Sequence, residues 1–156
     1  MNKPHRLFDF FDQRLANDPQ GTMVAGKEGG QWHEYSVTES KDIVDKLSAG
    51  LLASGYSANN MSVEGRDKIA VLSKNRSEWV FLDLATQQIG IVLVPLYPTI
   101  HINDLEFILN DAQVKAVFVN DEELFHKVQH VRSKVPSIKE VYSFEHVNGA
   151  AHWKEL

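Results

Sequence analysis

Asp67-Lys68-Ile69-Ala70-Val71-Leu72-Ser73-Lys74-Asn75-Arg76-Ser77-Glu78-Trp79, followed from Gly90 by Ile91-Val92-Leu93-Val94-Pro95-Leu96-Tyr97-Pro98-Thr99, decides the fold of this chain. Lys68 to Leu72 is a short run rich in branched aliphatic residues, as a buried strand requires. Ser73 to Arg76 is a polar turn, Glu78 to Ile89 a largely apolar helix, and Ile91 to Leu96 a second buried strand. A strand, a crossover helix and a second strand in about thirty residues form one right-handed parallel unit. The fold class that follows is α/β, with a mostly parallel sheet flanked by helices on both faces.

On the N-terminal side, Leu7, Phe8, Phe11 and Leu15 share one helical face, so Arg6 to Ala16 is expected to be an amphipathic helix that Asp18-Pro19 ends. Met23 to Ala25 and Trp32 to Tyr35 flank Gly29-Gly30 as a small hairpin. Ser36 and Glu39 have the spacing of a capping box, Ile43, Val44, Leu47 and Leu51 supply a buried stripe, and Gly55 stands where a left-handed cap belongs. Ser57 to Arg66 reads as a surface loop.

On the C-terminal side, Asn103 and Glu106 are expected to cap a helix that buries Leu105, Ile108, Leu109 and Ala112. Ala116 to Val119 is a short apolar strand. Asn120 and Glu123 open a further helix carrying Leu124, Val128, Val131 and Val135 on one face, and Ile138 to Phe144 is a last strand. The chain thus divides into a helix and hairpin over 1–35, an alternating α/β core over 36–144 and a polar tail over 145–156. It reads as a single N-terminal subdomain cut from a longer protein.

Composition bounds the chemistry. Hydrophobic residues at 43% and charged residues at 24% are ordinary for a globular domain. A net charge of -5 and a pI near 5.8 give no footprint for nucleic acid or an anionic membrane. Without cysteine there is no disulfide and no thiolate nucleophile or ligand. Met1 leads into a polar start rather than a secretory signal. The longest apolar run, Ile89 to Tyr97, is interrupted by Gly90 and Pro95 and is too short to span a bilayer. A cytoplasmic protein without a transmembrane segment is the expectation.

Candidate chemical sites are few. Gly26-Lys27-Glu28-Gly29-Gly30 is the only glycine cluster, matches no phosphate-loop pattern and reads as a turn. His126 and His130 are four apart on one helix, a spacing that suits a metal, yet no third ligand stands near and two solvated imidazoles are the simpler reading. Asp121-Glu122-Glu123 suits a helix N-terminus. Trp79 and Phe81 read as core. In open α/β sheets, ligand crevices lie beyond the carboxyl ends of the strands, which makes Tyr97, Pro98 and Thr99 candidates for a pocket edge. The residues by themselves describe a binding or structural α/β domain with no catalytic constellation.

The ordered set Tyr35-Ser36, Ala49-Gly50-Leu51-Leu52-Ala53-Ser54-Gly55, Asp67 to Leu72, Asn75-Arg76-Ser77-Glu78-Trp79 and Val94-Pro95-Leu96-Tyr97-Pro98-Thr99 resembles the N-terminal region of AMP-forming acyl-CoA synthetases. The Tyr-Pro-Thr ending is similar to the long-chain fatty-acid ligases in particular. The likeness runs from about Phe8 to Phe144. It implies a parent enzyme that joins a fatty acid to coenzyme A with ATP and Mg2+, through an acyl-adenylate, with AMP and pyrophosphate as products. It also implies that the Ser/Thr/Gly-rich phosphate loop and the catalytic lysine lie downstream, so this segment is scaffold, inactive alone, with no catalytic or metal-binding residue of its own. Tyr97 to Thr99 would border the coenzyme A or acyl entrance, and the segment would contribute to a homodimer. Peripheral membrane association of the parent is compatible with this. Two other readings stay open: an aryl or amino-acid adenylating enzyme, and a self-contained binding or interaction module.

Overall fold

The computed structural model describes residues 6–28 and 30–156. The expectations for Met1 and for the Gly29 half of the hairpin turn fall outside the described residues. Helix α1 (Leu7–Asn17) leads into an antiparallel hairpin of β1 (Thr22–Glu28) and β2 (Gln31–Ser36), and α2 (Val37–Ala53) follows directly. Then come β3 (Lys68–Leu72), α3 (Ser77–Ile89), β4 (Val92–Leu96), α4 (Ile102–Asp111), β5 (Ala116–Val119), α5 (Glu122–Arg132), β6 (Glu140–Ser143), β7 (Ala151–His152) and a final 3-10 turn (Trp153–Glu155).

Strands β3 to β7 form one parallel sheet in the order β4-β3-β5-β6-β7. Alternation along each strand sorts the core into two layers. Ile69, Val71, Ala116, Phe118 and Tyr142 face α2, α3 and the hairpin, whereas Ala70, Leu72, Val117, Val119 and Val141 face α4 and α5. The expected α/β architecture with helices on both faces is what the chain adopts. Pro95 lies inside β4, opposite Val71, and is tolerated there because β4 is an edge strand.

Local signals mostly act where the sequence places them. The Ser36 hydroxyl accepts the Glu39 N–H at 3.2 Å and the Glu39 carboxylate accepts the Ser36 N–H at 2.8 Å, which closes the capping box at the start of α2. Hydrogen bonds from Ser36 hold the Glu39 carboxyl below its ordinary pKa. Gly55 ends this helix with φ +83°, and the Tyr56 N–H returns to the Leu51 carbonyl.

Three details differ from the sequence expectation. Helix α4 is capped by His101, whose ring accepts the Asn103 N–H at 3.4 Å, rather than by Asn103. Helix α5 is capped by Asp121, which accepts the Leu124 N–H at 3.1 Å, rather than by Asn120. The reason is tertiary: Asn120 is buried, and its side chain is engaged across the sheet end by Ser73. The third difference is the polar tail, which contains β7 and the buried Trp153. A parallel return normally needs a crossover of a dozen residues or more. Here residues 144–150 suffice, because β7 pairs only with Tyr142 and Ser143 at the end of β6.

That final turn explains Gly50. A Cβ there would stand 2.1 Å from the Leu156 carbonyl oxygen and 2.6 Å from its carbon. Alanine is favoured over glycine in a helix by about 1 kcal/mol, so the clash and the gain in helix propensity oppose each other. Gly50→Ala is expected to lower stability by a net ~1 kcal/mol, the lower range of overpacking. It should also red-shift Trp153 emission, measured beside a urea melt; a stabilised variant with unchanged emission would contradict this contact.

Candidate functional site

The chain runs outward from β3 to β4, then crosses back over β3 to place β5 on its other side. Helix α3 covers one face and α4 the opposite one, so the winding reverses between β3 and β5. In such sheets the crevice outside the carboxyl ends of the two diverging strands is where ligands bind. The residues at those ends are Ser73 after β3 and Asn120 after β5.

This crevice is filled by the protein's own polar side chains. The Ser73 hydroxyl donates to Asn120 Oδ1 at 3.0 Å. The Arg76 guanidinium grips both Glu78 carboxylate oxygens along one edge, Nε to Oε2 at 2.9 Å and Nη2 to Oε1 at 2.8 Å. It also approaches Asn120 O and Oδ1 at 3.4 Å, Glu145 at 3.6 Å and the Phe144 ring at 5.1 Å. The Arg76 and Glu78 side chains are 20% and 12% exposed. Burial pushes the Glu78 carboxyl up, but the Arg76 bonds outweigh it, so Glu78 titrates below the ordinary carboxylate value.

The donor set does not fit a triphosphate. An anion there needs convergent cations and N–H groups, and the one guanidinium in the crevice is held between two carboxylates. Nor does any group of three His, Asp or Glu side chains among the described residues suit a metal ion. His126 and His130 are both exposed, and His126 Nε2 lies 3.7 Å from Glu122.

Beside the plugged crevice, a cavity of about 250 Å³ opens between the ends of β3 and β4. Ser73, Asn75, Trp79, Pro95, Leu96 and Tyr97 line it. Tyr97 is 83% exposed and stands at the rim. Pro98 and Thr99 follow in the same loop, outside the lining, and the Lys127 ammonium on α5 ties that loop down by donating to the Pro98 carbonyl at 3.0 Å. Phe81 is core, at 1% exposure, whereas Trp79 is only half-buried and forms part of the cavity wall. Ser73, Asn75 and Trp79 were not legible as partners of Tyr97, because the β3–β4 pairing, not chain proximity, brings them together.

Among the described residues no helix is long and apolar enough to cross a membrane. The family model that describes AMP-binding enzymes matches residues 11–155. Long chain acyl-CoA synthetase 4 of Arabidopsis thaliana is 30% identical over 142 residues, covering 88% of this chain and 20% of that one. The long-chain-fatty-acid–CoA ligase FadD15 of Mycobacterium bovis is 25% identical over 125 residues, covering 80% of this chain and 20% of the relative. The structure of the anthranilate CoA ligase AuaEII in complex with anthranoyl-AMP superposes with a TM-score of 0.82 over 99% of this chain and 27% of its own, at 14% identity, a likeness of fold. The chain spans about a fifth of the length of these two curated relatives. With its parallel sheet, its two covered faces and a family match over nearly all of its length, the chain belongs to the AMP-binding enzyme family.

Proposed function

We propose that this chain is the N-terminal scaffold of a long-chain fatty-acid–CoA ligase. The observation that carries the reading is the family match over residues 11–155, joined to relatives that are long-chain ligases. In the parent reaction a fatty carboxylate attacks the α-phosphorus of ATP, giving acyl-adenylate and pyrophosphate. The coenzyme A thiol then displaces AMP to give the thioester. Both steps depend on groups that position the reactants and neutralise phosphate charge. The Arg76–Glu78 plug at the β3–β5 switch point is structural in this reading.

The segment's own contribution is to present the loop Tyr97-Pro98-Thr99 and the cavity beside it at the coenzyme A or acyl entrance. ATP, Mg2+ and coenzyme A engage the parent enzyme and find no tight site on this chain alone. A second copy of the chain is the expected partner for its exposed apolar side chains, Leu7, Phe10 and Trp32 among them. Cytoplasmic placement belongs to the same proposal.

The test is direct. The isolated chain, given ATP, palmitate, Mg2+ and coenzyme A, is expected to release no AMP above a blank. AMP release that disappears when the protein is unfolded would overturn the scaffold reading. In the full-length parent, Tyr97→Ala is expected to raise the apparent KM for coenzyme A or for the fatty acid several-fold, with the KM for ATP unmoved. Unchanged values for both would remove Tyr97 from the entrance.

A further inference from the structure

The connection between β6 and β7 holds two histidines that the proposed reaction does not use. The His146 and His152 rings stack with centroids 4.1 Å apart and 16° between their planes. His152 Nε2 lies 3.2 Å from the Phe144 carbonyl oxygen, and the His152 backbone N–H donates to Glu155 Oε1 at 3.0 Å. His152 is also half of the two-residue strand β7, paired with Ser143. The next residue, Trp153, is buried with its ring edge-on to Phe144 at 6.1 Å.

We propose that the His146–His152 stack is a proton-sensitive latch, which docks β7 and the Trp153 turn when neutral and releases them when both rings are protonated. Two neutral imidazoles gain contact by stacking. Two imidazoliums at that separation repel, and the stack keeps water from the facing side of each ring, although His146 is otherwise exposed. The ladder that opposes release is short, since β7 contributes only Ala151 and His152.

The charges around the pair do not cancel this repulsion. Lys154 on the final turn disfavours a charge on His152, and Glu155 on the same turn favours it. Glu145 in the connection is directed to Arg76, at the start of α3, and to Asn120. Burial, then His146 and Lys154, hold His152 below its ordinary pKa of 6.5, against the opposing Phe144 carbonyl and Glu155. A histidine depressed in the docked state stabilises docking above about pH 6.5, and that stability is lost as pH falls through the lower docked value. Acid therefore opens the latch.

The docked turn walls one side of a groove of about 330 Å³, and release would remove that wall. Trp153 and Leu156 form one wall, and Tyr35, Ile43 and Leu47 the other. The latch thereby couples the covering of Ile43 and Leu47 on α2 to pH.

The experiment follows Trp153 emission from pH 8 to 5 in a chain carrying Trp32→Phe and Trp79→Phe, with the His146 and His152 ring protons followed by NMR. Emission is expected to red-shift on acidification while the far-ultraviolet circular dichroism is retained, and His152 to titrate below 6.5. His146→Phe keeps a stacked ring without a second titrating charge. It should leave Trp153 buried at pH 8, raise the His152 midpoint and move release to lower pH or abolish it. Emission that is constant from pH 8 to 5, or an identical acid transition in His146→Phe, would overturn the latch. Were the variant to unfold, a wild-type His152 midpoint at or above 6.5 would overturn it equally.

Discussion

Phe118→Ala is expected to lower the unfolding free energy by about 3–5 kcal/mol, the range for deleting a buried phenylalanine. Phe118 sits at 0% exposure on β5, one strand in from β3 and next to β6. Its ring stacks on Tyr142 at 4.9 Å and lies 5.9 Å from Phe144. It faces the layer that also contains Val71, Phe81 and Leu51. Three constraints keep that site from collapsing after truncation: the ladders to β3 and β6 fix the backbone, the aromatic neighbours are anchored on β6 (Tyr142) and directly after it (Phe144, whose N–H donates to the Val119 carbonyl), and α2 and α3 are tied together, with Ser48 Oγ donating to the Ala85 carbonyl at 3.3 Å. A void that cannot close costs most. A chain of this size loses about 2–4 °C of Tm per kcal/mol, so a drop of ~10 °C is expected in a calorimetric melt. Phe107→Ala is the control. That ring is 67% exposed on α4, and its removal should change stability by no more than about 0.5 kcal/mol. Equal losses from the two variants would mean that the assigned core is wrong.

The elements that could be read in advance are those whose signal is local. Ile69–Leu72 and Ala116–Val119 are continuous apolar runs, and the strands that contain them, Lys68–Leu72 and Ala116–Val119, have the expected bounds. Val44, Leu47 and Leu51 form a helical stripe that requires a partner layer, and all three are buried. What sequence could not supply is information about neighbours distant in the chain. Asn120 and Asp121 are equally competent caps, and only the approach of Ser73 across the sheet end decides between them. Strand order is likewise invisible, because any of β4, β5 and β6 could have paired beside β3. Residues 145–156 look polar and loop-like because β7 needs only two residues once β6 is there to pair with. Arg76 and Glu78 are two apart at a helix start, a spacing without a helical-face pattern, so their bidentate pairing was not legible either.

The same limits apply to the candidate site. Strand-end geometry points to Tyr97 from sequence alone, since any parallel strand can end in a binding loop. The cavity beside it depends on parallel pairing that sets Leu72 against Leu96, and so brings Ser73 and Trp79 alongside Tyr97. A doubly wound sheet offers one preferred ligand crevice, and here an ion pair occupies it. The cavity lies one strand away, at the β3–β4 end, with Tyr97 exposed at its rim.

Arg76→Ala tests that plug and carries the other large expected effect. Removing the guanidinium leaves the Glu78 carboxylate 12% exposed without its bidentate partner, and also withdraws the contacts to Asn120, Glu145 and the Phe144 ring. Breaking a buried pair from one side costs about 3–5 kcal/mol, because the orphaned charge keeps its desolvation penalty. The partial exposure of both groups places this one at about 3 kcal/mol. Acid separates the charge effect from simple loss of packing. In the native chain the Glu78 pKa lies below its ordinary 4.5, so the pair's stabilisation is complete above that value and is lost as pH falls through the lower folded value. In the variant, burial acts without the arginine, the carboxyl is pushed up, and protonation relieves the penalty. The difference between native and variant, read from urea midpoints, should therefore be largest near pH 7 and shrink towards pH 4. Arg76→Ala combined with Glu78→Leu should recover part of the loss at pH 7, since it removes the stranded charge and fills its space. A loss that is independent of pH, with no recovery in the double variant, would mean that Arg76 acts through its contacts with Phe144 and Asn120 rather than as the counter-charge that closes the crevice.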